Sequence, residues 1–115
     1  MTAIASSVGD SHNPEARTRA LALGRTAYDA APLPSSFRET FQAYRASLKR
    51  QGKSTLGAYA DANEKEFFAE LTAAFFDVGF EGGQYNDLRR LLKERPESAQ
   101  LMYRIYGPAP SMRGR

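Results

Sequence analysis

The chain has one histidine and no cysteine among its 115 residues, so whatever chemistry it performs is left to carboxylates, phenols and cations, with His12 the sole imidazole. Disulfides, thiolate metal sites and cysteine nucleophiles are excluded. So is any site that needs two imidazoles from one chain. The acids are unevenly spread: residues 61–81 contain six acids and one base. Glu66, Glu70 and Asp77, at offsets of four and eleven, fall along one stripe of a helix. By residue type alone that stripe is a solvated face. Glu66, three residues after Asn63, sits where a helix N-terminus favours an acid. Tyr59 reads as a core or rim tyrosine and His12 as a solvated residue. Basic residues gather elsewhere, at Arg38, Arg45, Lys49, Arg50 and Lys53 and again at Arg89, Arg90, Lys93 and Arg95. Such clusters can meet phosphates or an acidic protein. Solvated helix faces account for them more simply, and no helix-turn-helix signature or aromatic-interleaved basic strand accompanies them.

The elements that must position these residues are helices. Asn13-Pro14-Glu15 supplies an N-cap, a proline at the first helical position and an acid in the first turn. Ala16, Ala20, Leu23 and Ala27 then recur at helical spacing, beside Leu21 and Tyr28, until Ala31-Pro32-Leu33-Pro34 stops the pattern. A stripe so rich in alanine packs either closely or weakly. Ser36-Phe37-Arg38-Glu39 fits a capping box, and Phe37, Phe41, Tyr44 and Leu48 make one apolar face ahead of the stop at Gly52. After a connector over 53–62, Asn63 caps a third helix. Its Phe67, Phe68, Leu71, Ala74, Phe75 and Val78 cover a wide face and mark it as the centre of the core. Gly79, Gly82 and Gly83 break the chain. Tyr85, Leu88, Leu91 and Leu92 suggest a short fourth helix up to Arg95, and Pro96-Glu97-Ser98 opens a last one carrying Leu101, Met102, Ile105 and Tyr106 before Gly107.

The phrase Ala58-Tyr59-Ala60-Asp61-Ala62-Asn63-Glu64-Lys65-Glu66-Phe67-Phe68-Ala69-Glu70-Leu71, followed by Phe75-Phe76, is the most specific in the chain. Together with Leu88-Arg89-Arg90-Leu91-Leu92-Lys93-Glu94-Arg95-Pro96-Glu97-Ser98-Ala99-Gln100-Leu101-Met102-Tyr103, it resembles the C-terminal half of the catalytic domain in zinc peptidases of the anthrax lethal factor and Mlc titration factor A type. The resemblance extends over residues 37–106, and its sharpest part is the spacing from Tyr59 to Glu66. It implies that Glu66 occupies the place of the third zinc ligand and Tyr59 that of the phenol that stabilises the oxyanion, with Glu70 orienting a ligand from behind. The other half of such a site, His-Glu-x-x-His, is absent. Val8-Gly9-Asp10-Ser11-His12 agrees only at its last position, Asp10 is out of register with the general base, and Gly9 breaks helices.

Length and composition set the frame. A chain of 115 residues with 42% hydrophobic and 25% charged residues is one soluble globular domain, too apolar for disorder. No stretch approaches a membrane span, and residues 1–8 lack the basic start of a secretory signal, so cytoplasmic synthesis is the default. No strand alternation or internal repeat is present. The expectation is an all-α protein, a compact bundle of four to five helices over 13–107, with a flexible N-terminal arm over 1–12, a natural start at Met1 and a flexible tail over 108–115. Three functions fit. The first is a truncated or degenerate zinc-peptidase-like domain, inactive alone and binding a protein or peptide. The second is part of an active zinc peptidase whose His-Glu-x-x-His half lies on another chain or outside this sequence. The third is an unrelated helical interaction module. No cofactor is expected for the chain alone, with zinc the metal if a complete site is assembled. Nucleic acid ranks behind a protein partner.

Overall fold

The computed structural model describes residues 14–30, 33–51, 60, 62–79 and 87–108, the side chains of residues 48, 49 and 51 excepted. Five helices follow one another, α1 (Pro14–Ala30), α2 (Ser36–Gln51), α3 (Glu64–Phe75), α4 (Leu88–Glu94) and α5 (Pro96–Tyr106), with no strand among the described residues. The all-α expectation holds, and no described helix is long and apolar enough to cross a membrane. The arm, Tyr59, His12, most of the connector, the glycine-rich break from residue 80 and the tail beyond Pro108 lie outside the described residues.

Helix α3 is the axis of the molecule. Every residue from Phe67 to Phe76 is buried, so no face of its last two turns meets water. A helix buried all round needs neighbours on every side; α1 supplies the largest contact, and two aromatic clusters flank it. At its N-terminal half, Phe67 packs against Phe37, Phe41 and Tyr44 of α2 at centroid distances of 5.6, 5.4 and 4.8 Å, while Phe68 meets Phe37 and Tyr28 of α1. At its C-terminal end, Phe75 and Phe76 pack with Tyr106 of α5, and Phe75 meets Tyr103 edge-on. These spacings are those of favourable ring pairs. Between the clusters, the Thr72 hydroxyl donates to the Phe68 carbonyl and lies 2.9 Å from the Tyr106 hydroxyl.

The alanine-rich stripe of α1 packs closely. Ala16, Ala20, Leu21 and Gly24 are its buried residues, and a Cβ placed on Gly24 would stand 2.7 Å from the Ala69 Cα and 2.9 Å from the Thr72 Oγ1. Gly24 therefore sits where the two backbones leave no room for a side chain. Leu23, expected on the inner stripe, is 37% exposed. The small residue took the place beside α3 that a leucine would have overfilled, and the apolar spacing alone could not separate the two. Leu92 of α4 is likewise turned outward, leaving Leu91 as that helix's fully buried residue.

The helix ends follow local chemistry. Asn63 caps α3 by accepting from the Glu66 N–H at 2.9 Å, and Asp87 caps α4 by accepting from the Arg90 N–H at 2.8 Å. Pro96 opens α5, and Gly107, at φ 76°, closes it. Helix α3 ends earlier than the apolar pattern predicts, at Phe75 rather than Val78. The Val78 N–H reaches back to the Ala73 carbonyl and the Asp77 N–H to that of Ala74, a Schellman motif with Asp77 in the left-handed region at φ 68°. Val78 keeps helical spacing in the sequence but is buried through this fold-back. Asp77, expected on a solvated stripe, is half-buried and accepts from the Leu88 N–H at 2.8 Å, tying the end of α3 to the start of α4.

Candidate functional site

The Asn63 cap sets Glu64 and Glu66 in the first turn of α3, and Glu70 follows one turn inward. Acids in a first turn are stabilised by the positive end of the helix dipole. What decides their behaviour here is α1, which runs antiparallel along α3. Arg25 grips the Glu66 carboxylate through three hydrogen bonds, from Nε at 3.0 and 3.2 Å and from Nη2 at 2.8 Å. These bonds hold the Glu66 carboxyl below the ordinary carboxylate range, against a smaller opposing effect of burial. Glu64 accepts from the Tyr28 hydroxyl at 2.9 Å and from the Arg38 Nε at 3.4 Å. The Tyr28 phenol is raised by burial and by its bond to Glu64. Lys65 pairs with Asp29 at 2.8 Å, completing the row of polar ties between the two helices.

Glu70 is the deepest of these groups. Its side chain is wholly buried, and both oxygens accept from Arg17, Nη1 and Nη2 each at 2.7 Å. This is the two-pronged geometry that a guanidinium offers a carboxylate. Burial raises the Glu70 carboxyl above the ordinary range, and the Arg17 bonds pull against it. The solvated stripe expected for Glu66, Glu70 and Asp77 is therefore corrected at all three positions. α1 and α4 cover it, and each acid has an inward partner.

This arrangement bears directly on zinc. Both Glu66 oxygens accept from Arg25 and both Glu70 oxygens from Arg17, so a metal ion at either carboxylate would compete with a guanidinium already in place. A guanidinium in hydrogen-bond contact repels a dication electrostatically. Among the described residues no three His, Cys, Asp or Glu side chains gather as a ligand set. Among the described residues, Glu66 and Glu70 are engaged by arginines of α1 rather than gathered with other ligands. Tyr59, assigned by resemblance to the oxyanion, lies outside the described residues. Arg17 and Arg25, which determine what Glu70 and Glu66 can do, carried no signal in the sequence. They stand 53 and 41 residues from their partners, and nothing local couples them.

On the outer side of the same contact an open groove of about 560 Å³ runs between α2 and the first turn of α3. The half-buried Tyr28 gives it aromatic surface, the buried Phe41 lies at its base, and Arg38, Arg45, Glu64 and Lys65 stand around it. The Arg45 guanidinium carbon lies 5.7 Å from the centroid of the Phe41 ring, within cation–π range. Arg38 and Arg45 were legible as part of a basic cluster on the second helix. Their union with Tyr28 and Glu64 was not, because it spans three helices.

Compared with models of protein families, with curated proteins and with solved structures, the chain gives no match.

Proposed function

We propose that the chain is a helical protein-binding domain that does not hydrolyse peptides by itself. In this reading Glu66 and Glu70 serve the packing of α1 on α3, and the peptidase-like phrase around them is a helical scaffold without a catalytic centre. The observation that carries it is the capture of both carboxylates by arginines of α1, with the Glu70 pair closed off from water on the carboxylate side. Guanidinium groups already stand against both carboxylates, where a metal ion would have to compete with them. The groove beside Glu64, with aromatic surface and charged walls, supports the binding half of the reading. Interfaces favour aromatic and arginine side chains in this way.

The test is isothermal titration of zinc into the purified chain and its Glu66→Ala variant, with peptide-library cleavage assayed on the same samples. The expected result is no stoichiometric zinc that depends on Glu66 and no cleavage. Tight stoichiometric zinc lost in Glu66→Ala, or zinc-dependent cleavage, would overturn the proposal and return the chain to the zinc peptidases.

A further inference from the structure

Resting on the reading of a protein-binding domain, we infer that the groove between α2 and the first turn of α3 takes an acidic segment of a protein partner, its carboxylates drawn to Arg45 and Arg38 and an apolar side chain laid on the half-buried ring of Tyr28. Charge decides the occupant. Three cations, Arg38, Arg45 and Lys65, stand around the groove against one acid, Glu64, which Tyr28 and Arg38 already engage. Lys65 is drawn aside to Asp29. Arg45 is exposed and held along the aromatic surface by Phe41, so its guanidinium is oriented before a partner arrives. The Arg38 bond to Glu64 is long, at 3.4 Å, and the Arg38 side chain is 74% exposed. An exposed pair of this kind is worth little, and an incoming carboxylate exchanges with it at small cost. A groove of about 560 Å³ lies within the range of sites that enclose small ligands or a few side chains.

Glu64 also separates an acidic peptide from a nucleic acid. Its carboxylate lines the groove beside Arg38, where a peptide can place an uncharged residue but a phosphate backbone brings a charge at every step. A peptide presents backbone N–H donors as well as carboxylates, so it can satisfy Glu64 and the arginines together.

Short random peptides displayed on phage are selected on the intact chain, and an enriched peptide is labelled and its affinity measured by fluorescence anisotropy at low and high salt. Enrichment of Asp and Glu beside an aromatic or aliphatic residue is expected, with affinity falling as salt rises. Arg45→Glu, whose exposed position leaves the fold intact by circular dichroism, weakens the peptide by roughly tenfold or more. Arg89→Glu on α4, the same charge change away from the groove, leaves affinity within about twofold. Enriched peptides with no acidic preference, or binding indifferent to Arg45→Glu, would overturn this inference and leave the protein-binding reading standing. Failure to enrich any peptide would overturn both. A mixed-sequence single-stranded oligonucleotide that binds more tightly than the peptide and depends on Arg45 would overturn the inference in favour of nucleic acid.

Discussion

Glu66 and Glu70 stand one turn apart on α3, and each is clasped by an arginine from α1, yet the two pairs live in different media. The outer pair is half-open, with Arg25 38% and Glu66 20% exposed in their side chains. The inner pair sets a fully buried Glu70 against an Arg17 that is 21% exposed. The same two chemical groups therefore titrate in opposite senses. At the outer turn the arginine bonds dominate and the carboxyl is lowered, whereas at the inner turn burial dominates and the carboxyl is raised. Depth in the α1·α3 contact, rather than the identity of the partner, sets the balance between desolvation and hydrogen bonding.

The difference has a definite consequence for stability against pH. Glu66, lowered on folding, contributes stability that is present above the ordinary carboxylate range and is lost as pH falls through its folded value. Glu70, raised on folding, works the other way. Its contribution is fully present below the ordinary carboxylate range and is lost as pH rises through its folded value. The Arg17 bonds thus favour the ionised form of Glu70 while its burial disfavours it.

Removing one partner at the buried turn is the strongest way to sharpen this contrast. Arg17→Met leaves a buried carboxylate without its guanidinium and is expected to cost about 3 kcal/mol at neutral pH, measured by urea unfolding. The deficit shrinks as pH falls, beginning above the ordinary carboxylate range, because Glu70 takes up a proton. Adding Glu70→Leu to that variant restores most of the loss, since an apolar pair of similar volume replaces a buried ion pair at little cost. A variant as stable as the parent across the whole pH range would show that the inner pair is not under burial control.

Gly24→Ala probes the crossing that brings the arginines into register. Its Cβ would meet the backbone of Ala69 at 2.7 Å, so the helices must separate. The expected cost is about 1–3 kcal/mol, net of the gain of about 1 kcal/mol that alanine brings to an isolated helix. A calorimetric Tm equal to or above that of the parent would break the close-crossing account. The smallest effect belongs to the outer pair. Arg25→Met is expected to cost less than about 1 kcal/mol, because water screens a half-open pair. Its deficit closes only within and below the ordinary carboxylate range, as Glu66 is protonated. If Arg25→Met cost as much as Arg17→Met, the distinction between the two turns would fall.

Much of the frame was legible in the residues. Pro14, Asn63 and Pro96 open helices where their local chemistry says they should, α2 starts at Ser36 itself rather than after it as the capping box predicted, and Phe37, Phe41 and Tyr44 turn inward together as their spacing requires. Capping and apolar periodicity act over a few residues along the chain, so the sequence carries them. Where the reading slipped, one cause lay across helices and one at the end of α3 itself. Gly24 rather than Leu23 faces α3 because the approach distance there admits no side chain. Val78 is buried by a fold-back that imitates helical spacing.

The candidate site divides along the same line. By itself the sequence determined that Glu66 would sit in the first turn of an Asn63-capped helix, that Glu70 would follow one turn later, and that phenylalanines would make this helix the centre of the core. Only the tertiary structure decided that both acids would be spent on Arg25 and Arg17, and that Tyr28, Arg38, Phe41 and Arg45 would share one groove. Helix formation depends on neighbours in sequence, whereas desolvation and ion pairing depend on which helices cross and how closely. That crossing is set by the small residues of α1 and the aromatic rings of α2 and α3 acting together.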